Sequence, residues 1–360
     1  MKILQVLPTV SFGDAVGNDA IALKNLLQEK DFETQIFAES IDSRLPKDTA
    51  VKISKIPELS YEDIVIYHKS VASALSSWIK KQVCRKVMIY HNITPPEYFA
   101  EYNTDMENLC RNGYDQLQKL TESFDMILSV SAYNRQNLLD MGFKVSNYVL
   151  PILIPFDDYK KKASAKIVSK YTGDGYTNIV FVGRIAPNKC QQDVIRAFSG
   201  YQRFFNAKSR LFIVGNSGVL TNNYVLQLKK YAKKLGAKNV IFTGHCPFDE
   251  ILAYYHLADI FLCQSEHEGF CVPLVEAMYF DVPIVAYDSS AIGETLGGSG
   301  FLLKDKNPLE TAAVMNKILT DAVLRDTILE NQRERLQDFG YDKVKALFWK
   351  YMNEFIGNAV

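Results

Sequence analysis

The sequence predicts an α/β protein of two similar domains, each a parallel sheet covered by helices. Three observations carry this. Short apolar runs rich in Ile and Val alternate with amphipathic segments, the pattern of buried parallel strands joined by helices. The pattern pauses and restarts after residue 175. The length of 360 residues suits two domains at roughly 150 residues each.

The first series of runs is 2–7, 34–38, 63–68, 86–90 and 125–130, with helical patterns over Asp19 to Lys30 and Val71 to Lys81. Pro8 ends the opening run, which is too short for a signal peptide. The stretch 150–176 holds two prolines, a Lys run and a Gly-Asp-Gly turn, and is placed as the domain junction. The second series is 178–183, 210–215, 239–244, 259–264 and 283–287, with helices at about 190–203, 222–235, 248–257 and 273–280. Two such sheets on one linker predict two Rossmann-like domains facing a central cleft. The boundaries are 1–155 and 156–340. Residues 341–360 form a last helix whose stripe of Phe348, Trp349, Tyr351, Met352 and Phe355 should pack back onto the body.

Composition narrows the function classes. Lys plus Arg equals Asp plus Glu, 41 each, which argues against bulk electrostatic capture of nucleic acid. The basic cluster Lys229–Lys234 reads as the solvated face of a helix. Six dispersed cysteines without a CxxC pair read as reduced thiols, and no zinc-type spacing appears. No run approaches the ~20 apolar residues of a membrane span. A cytoplasmic protein is expected, with peripheral contact at the inner membrane face left open.

The chemistry concentrates in two segments. Ser265–Asp288 begins at the C-terminal end of an expected strand, where open α/β sheets bind ligands. Pro273 suits a first helical turn, and Glu276 is read as lying in that turn. Free N–H groups there suit a phosphate. Glu268 and Glu276 accept hydrogen bonds only, which suits sugar hydroxyls. The plainer alternatives are dipole compensation for Glu276 and a solvated loop charge for Glu268. The second segment is Phe181–Lys189. Arg184 and Lys189 at a strand–helix junction would clamp a diphosphate, or they are two solvated cations.

Together these segments resemble the family 4 glycosyltransferases, retaining enzymes of the GT-B fold. The signature stands here as Glu268-Gly269-Phe270-Cys271-Val272-Pro273-Leu274-Val275-Glu276, with Gly183, Arg184 and Lys189 as the Gly-Arg…Lys element. Tyr255-His256-Leu257-Ala258-Asp259 also fits. The likeness covers 176–300 closely and the first half more loosely. There, His91-Asn92-Ile93-Thr94-Pro95 resembles a subset carrying a His-Asn-Ile-Thr-Pro loop.

The resemblance implies a retaining hexosyltransferase using a GDP- or UDP-sugar. Arg184 and Lys189 would bind the diphosphate, Glu268 the sugar hydroxyls and Glu276 the ribose. Gly269, Phe270, Cys271, Val272 and Leu274 would line the same pocket, and Gly183 would lie with them. Gly244, His245 and Cys246 would lie near the base. His91 would face the reacting sugar. The loop Ser11–Asn18, with Gly13 and Asp14, takes the place of a glycine-rich first loop but lacks its Gly-Gly pair. His68 is expected to be structural, and Ser131 is either near the cleft or a helix N-cap. No metal or cofactor is implied, and the acceptor would be a glycan or a lipid-linked sugar. A sugar-nucleotide epimerase or a non-catalytic nucleotide-sugar binder is the alternative. A nicotinamide dehydrogenase would need the GxGxxG that is missing here.

Overall fold

A computed structural model describes residues 1–11, 13–216 and 222–357. Phe12 of the first loop lies outside the described residues. The chain divides into two compact units, one of Met1–Pro96, Glu107–Phe156 and Asp338–Val360, the other of Glu97–Met106 and Asp157–Gln337.

The first unit runs β1 (Ile3–Val10), α1 (Ala15–Gln28), β2 (Ile36–Ile41), β3 (Val51–Lys52), β4 (Ile64–Lys69), α2 (Leu75–Ile79), β5 (Arg85–Tyr90), α3 (Thr104–Gln118), β6 (Met126–Ser129), α4 (Ala132–Asp140) and β7 (Asn147–Val149). Its sheet is parallel, in the order β3-β2-β1-β4-β5-β6-β7. β4 is buried at every residue, as a sheet covered on both faces requires. Pro8 does not end β1. Pairing to β4 runs only from Ile3 to Val6, and the pairing to β2 passes over Pro8, so its missing N–H costs no ladder bond.

The second unit contains α5 (Ala165–Tyr171), β8 (Thr177–Val182), α6 (Gln191–Phe204), β9 (Ser209–Val214), α7 (Asn222–Lys234), β10 (Val240–Gly244), α8 (Phe248–Leu257), β11 (Ile260–Cys263), α9 (Val272–Tyr279), β12 (Ile284–Tyr287), α10 (Ile292–Leu296), β13 (Phe301–Leu303), α11 (Pro308–Thr320) and α12 (Ala322–Leu336). Its parallel sheet has the order β10-β9-β8-β11-β12-β13. Phe181, Ile213 and Leu262 of the strands meet Val194 and Phe198 of α6 in its core.

Helix α13 (Tyr341–Gly357) belongs to the first unit. Val344, Phe348, Trp349, Met352 and Phe355 are its buried stripe. Trp349 stacks on Phe32 with centroids 6.0 Å apart, and the Arg85 guanidinium lies 3.9 Å over the Phe355 ring. Tyr351 stacks on Tyr148 at 4.5 Å. Residues 97–106 sit with the second unit although the sequence pattern places them inside the first domain. There Tyr102 packs edge-on against Tyr224 at 5.0 Å. The helix expected over 71–81 shrinks to α2, and the junction 150–176 contains α5. No helix among the described residues is long and apolar enough to cross a membrane.

Candidate active site

The strand order of the second sheet reverses between β8 and β11, the two strands whose neighbours run outward in opposite directions. Ligands bind outside the carboxyl ends of the strands at such a point. The loops leaving these two ends are residues 183–190 and 264–271. These are the two segments that carry Arg184, Lys189 and Glu268.

The first loop starts at Gly183, φ 150°, pressed against Gly215, φ 140°, which follows β9. A Cβ on Gly215 would lie 2.0 Å from the Gly183 carbonyl oxygen, so the two backbones touch. The Ile185 N–H donates to Asn216 O (3.0 Å), and Gln191 Nε2 donates to Arg184 O (3.0 Å). The loop is therefore held by its own backbone. The Arg184 side chain is exposed and has no ion-pair partner among the described residues.

The second loop is tied at nearly every residue. The Glu266 N–H donates to Asn188 O (2.9 Å), and Asn188 Nδ2 to His267 O (3.0 Å). Ser289 Oγ donates to Ser265 O (2.6 Å), the Glu268 N–H to Ser290 Oγ (2.8 Å), and Thr295 Oγ1 to Phe270 O (2.5 Å). Lys189 Nζ meets Glu268 Oε2 at 2.5 Å, with the side chains only 16% and 7% exposed. Glu268 is thus no solvated loop charge, and Lys189 no solvated cation. The loop ends at Cys271, left-handed at φ 73°, which enters α9 without a side-chain cap. Pro273 has no N–H and the Leu274 N–H donates to Cys271 O (3.0 Å), so the Val272 N–H is the one at the helix start left for a ligand or solvent.

Glu276 is the fifth residue of α9, not a first-turn residue; no acidic side chain occupies the first turn. The helix begins at Val272 because Cys271 is its non-helical boundary. Dipole compensation fades beyond the first turn and does not explain Glu276. Its carboxylate instead accepts from Tyr159 Oη (2.9 Å) and Tyr255 Oη (2.7 Å). Burial pushes its pKa up, and these two phenols pull it back. A carboxylate offers about four acceptor positions, so two phenols leave capacity for further hydroxyls.

The remaining second-unit residues divide by depth. Gly244 ends β10 at φ 71° beside Gly215, His245 is exposed, and Cys246 is buried with Sγ 3.7 Å from Gly244 O. Gly269 and Val272 are half-buried. Phe270 and Leu274 are core side chains at 4% and 0% exposure, so Leu274 supports α9 from below and does not form a pocket wall.

In the first unit, Gly13 turns the chain at φ 75°, and Asp14 caps α1, its carboxylate accepting from the Gly17 N–H (3.2 Å). Ser131 is the N-cap of α4, accepting from the Asn134 N–H (3.1 Å). The His91 imidazole is interior, with a side-chain exposure of 2%. His91 Nε2 lies 2.9 Å from His68 Nδ1 and 3.8 Å from Asp19 Oδ2. Asp19 Oδ1 accepts from the Leu153 N–H (2.8 Å). Burial raises the Asp19 carboxyl from 3.8 to about 7, drives His91 from 6.5 to about 3, and holds His68 well below 6.5.

These shifts oppose each other. Between about pH 4 and 6.5 the unfolded chain binds two histidine protons that the folded chain refuses, and the folded chain keeps one proton on Asp19. Stability should rise with pH over this window with a net slope of about one proton from these groups, ~1.4 kcal/mol per pH unit. Asp19→Asn removes the opposing carboxyl and keeps an acceptor for Leu153. Its acid limb should steepen by about one proton, and it should gain stability relative to the parent above pH 7. Urea midpoints from pH 4.5 to 8 measure this; parallel profiles would refute the assignment.

Sequence reasoning did not find Gln5, Tyr159, Asn188, Ser289, Ser290 or Thr295. Their partners lie far along the chain, 117 residues for Tyr159 and 79 for Asn188, and no local spacing marks them. Tyr255 stood within a matched segment but without a role.

Residues 165–335 match the family Glycosyl transferases group 1. The likeness lies within the second unit. An uncharacterized glycosyltransferase of Methanocaldococcus jannaschii is 22% identical over 95% of this chain and 96% of that protein. The O-antigen chain mannosyltransferase B of Escherichia coli is 24% identical over 66% of this chain and 62% of its own length. A GDP-mannose-dependent alpha-(1-6)-phosphatidylinositol monomannoside mannosyltransferase of Mycobacterium tuberculosis is 26% identical over 57% and 55%. This chain therefore matches less than two thirds of either mannosyltransferase. Among solved structures, Anabaena HepE in complex with UDP and glucose superposes with TM-score 0.77 at 18% identity, covering 98% of this chain and all of that one. WaaG, a glycosyltransferase involved in lipopolysaccharide biosynthesis, gives 0.71 at 14% identity over 96% and 97%. The match to group 1 glycosyl transferases thus falls in a chain of GT-B fold with two parallel-sheet α/β units.

Proposed function

We propose that this protein is a retaining hexosyltransferase that moves a sugar from a GDP- or UDP-sugar to a glycan or lipid-linked acceptor, without a metal or other cofactor. The observation that carries the reading is the juxtaposition at the switch point of the second sheet. A buried Lys189–Glu268 pair, the exposed Arg184 and the start of α9, without a side-chain cap, lie on the two loops that leave this switch point. Breaking a glycosyl–phosphate bond builds negative charge on the departing diphosphate, which preorganised cations and N–H donors stabilise. Arg184, Lys189 and the Val272 N–H at the start of α9 supply them. Glu268, with one oxygen held by Lys189, acts as an acceptor for sugar hydroxyls and not as a nucleophile. Attack from the leaving-group face, with the phosphate taking the acceptor's proton, gives retention.

The mannosyltransferase relatives and the UDP-bound HepE support a nucleoside diphosphate sugar as donor. That these relatives are an O-antigen chain mannosyltransferase and a phosphatidylinositol monomannoside mannosyltransferase supports a glycan or lipid-linked acceptor. We place the protein in the cytoplasm, touching the inner membrane face peripherally when it meets a lipid-linked acceptor.

Thermal shift with UDP, GDP, ADP, CMP and NAD tests the donor site. One nucleoside diphosphate at about 100 times its Kd should add roughly 2.7 kcal/mol and raise Tm by several degrees. A response to NAD alone would overturn the reading. Glu276→Gln keeps the shape but gives up acceptor capacity facing two phenols, and should weaken that nucleotide by about 10-fold, about 1.4 kcal/mol. Unchanged affinity in this variant would remove Glu276 from the ribose site.

A further inference from the structure

Three side chains and one backbone carbonyl of the first unit form a buried hydrogen-bonded chain whose proton positions are dictated from one end. Gln5 on β1 donates Nε2–H to Ala20 O at 3.0 Å. A carbonyl only accepts, so this contact fixes the amide: Nε2 faces Ala20, and Oε1 faces His68 Nε2 at 2.8 Å. Oε1 in turn only accepts, so His68 Nε2 carries a proton. His68 is fully buried and neutral, which leaves Nδ1 as a lone pair. That lone pair faces His91 Nε2 at 2.9 Å, so His91 Nε2 must carry a proton as well. The neutral His91 ring then has its own Nδ1 as a lone pair. Nδ1 is buried and has no hydrogen-bond partner among the described residues. Leaving such an acceptor unpaired costs about 1–3 kcal/mol.

We propose that Gln5 and His68 are positioning residues that lock His91 as its Nε2–H tautomer, so that His91 Nδ1 serves only as an acceptor for a substrate hydroxyl. The tautomer follows from the geometry and from the neutrality of the fully buried His68; its use in turnover rests on the glycosyl-transfer reading. Asp19 does not compete for the role. Its Oδ2 stands 3.8 Å from His91 Nε2, beyond a hydrogen bond, and its Oδ1 is taken by Leu153. The same three groups, Asp19, His68 and His91, have ligand atoms within 4.8 Å of one another, but the 2.9 Å nitrogen–nitrogen contact is fully explained by one shared proton.

The test is long-range proton–nitrogen NMR on the full chain labelled with nitrogen-15 histidine, read without donor or acceptor. Wild type should show both His68 and His91 as Nε2–H tautomers. Gln5→Glu places a carboxylate on His68 Nε2 and favours the imidazolium. His68 Nδ1 then donates, and His91, two links away, should switch to its Nδ1–H form. The kcat of this variant should fall about 10-fold or more, the range seen when an orienting partner is mis-set, with the donor KM changed less than threefold. His68→Asn, whose amide can accept at the Nδ1 position, should keep the His91 tautomer and retain more turnover than His68→Leu. A His91 ring already in the Nδ1–H form in wild type would overturn the proposal, as would one indifferent to Gln5→Glu, or a stoichiometric divalent cation found by elemental analysis. A correct tautomer chain in a protein that transfers no sugar would instead overturn the functional reading and leave the relay standing.

Discussion

Replacing Lys189 by Met is expected to lower kcat by about 10²- to 10³-fold, the loss that follows removal of one preorganised donor to a developing anion. The same change should destabilise the second unit, because it strands the Glu268 carboxylate, 7% exposed, without its cation. Breaking a buried pair from one side costs about 3–5 kcal/mol, and the 16% exposure of Lys189 places this pair toward the lower end. The two effects separate in a double-mutant cycle. Glu268→Gln on the Lys189→Met background removes the stranded charge, so urea stability should return toward the parent. Turnover should not return if the proposed roles hold, since neither the cation assigned to the leaving group nor the carboxylate assigned to the sugar is restored. A Lys189→Met enzyme within threefold of the wild-type kcat would remove Lys189 from the chemistry and leave the pair as structural. Arg184→Ala makes the useful contrast: its side chain is exposed, so turnover should fall with little loss of stability.

The core strands were legible in sequence because they are buried on both faces and read as continuous apolar runs. β4 and β9 are buried at every position and could be recognised without any partner. β3, β7 and β13 were not, at two or three residues each, since so short a run carries no period. Position along the chain also pointed to the two loops of the candidate site, because the residues after β8 and β11 lie at strand ends. It could not reveal that these strands are neighbours, which is a fact of sheet order. Nor could it reveal what holds the loops. Glu276 looked like a first-turn residue because Pro273 suggested a helix start one residue later than the observed Val272, but its position is set by two tyrosines that come from other elements. The surroundings of His91 are hidden for a similar reason. The strand end is visible in sequence; the Gln5–His68 chain that turns the imidazole inward spans three strands and is not.

Gly215→Ala is expected to be the most destabilising single-methyl change in the second unit. Two costs add. At φ 140° an L side chain is strained whatever the space around it, on the order of 1–2 kcal/mol. The added Cβ would also lie 2.0 Å from Gly183 O and 2.9 Å from Gly183 C, and both are backbone atoms with no rotamer to move. Either β9 or the Gly183 loop must shift, and the total should exceed about 4 kcal/mol, the region reserved for buried clashes and strain. Gly142→Ala and Gly236→Ala isolate the first cost: φ is 94° and 69°, and nothing lies within 4 Å of either Cβ. Each should lose only about 1 kcal/mol, because the unfolded chain also loses entropy. Urea midpoints for the three variants decide it, and a Gly215→Ala loss no larger than the controls would refute the backbone contact. What yields in Gly215→Ala also matters for the site. If Gly183 gives way, Arg184 moves with it, so nucleoside diphosphate affinity should fall in the fraction that remains folded. A folded Gly215→Ala protein with parental nucleotide affinity would mean that β9 yields instead, and that Arg184 is held by the Ile185 and Gln191 hydrogen bonds alone.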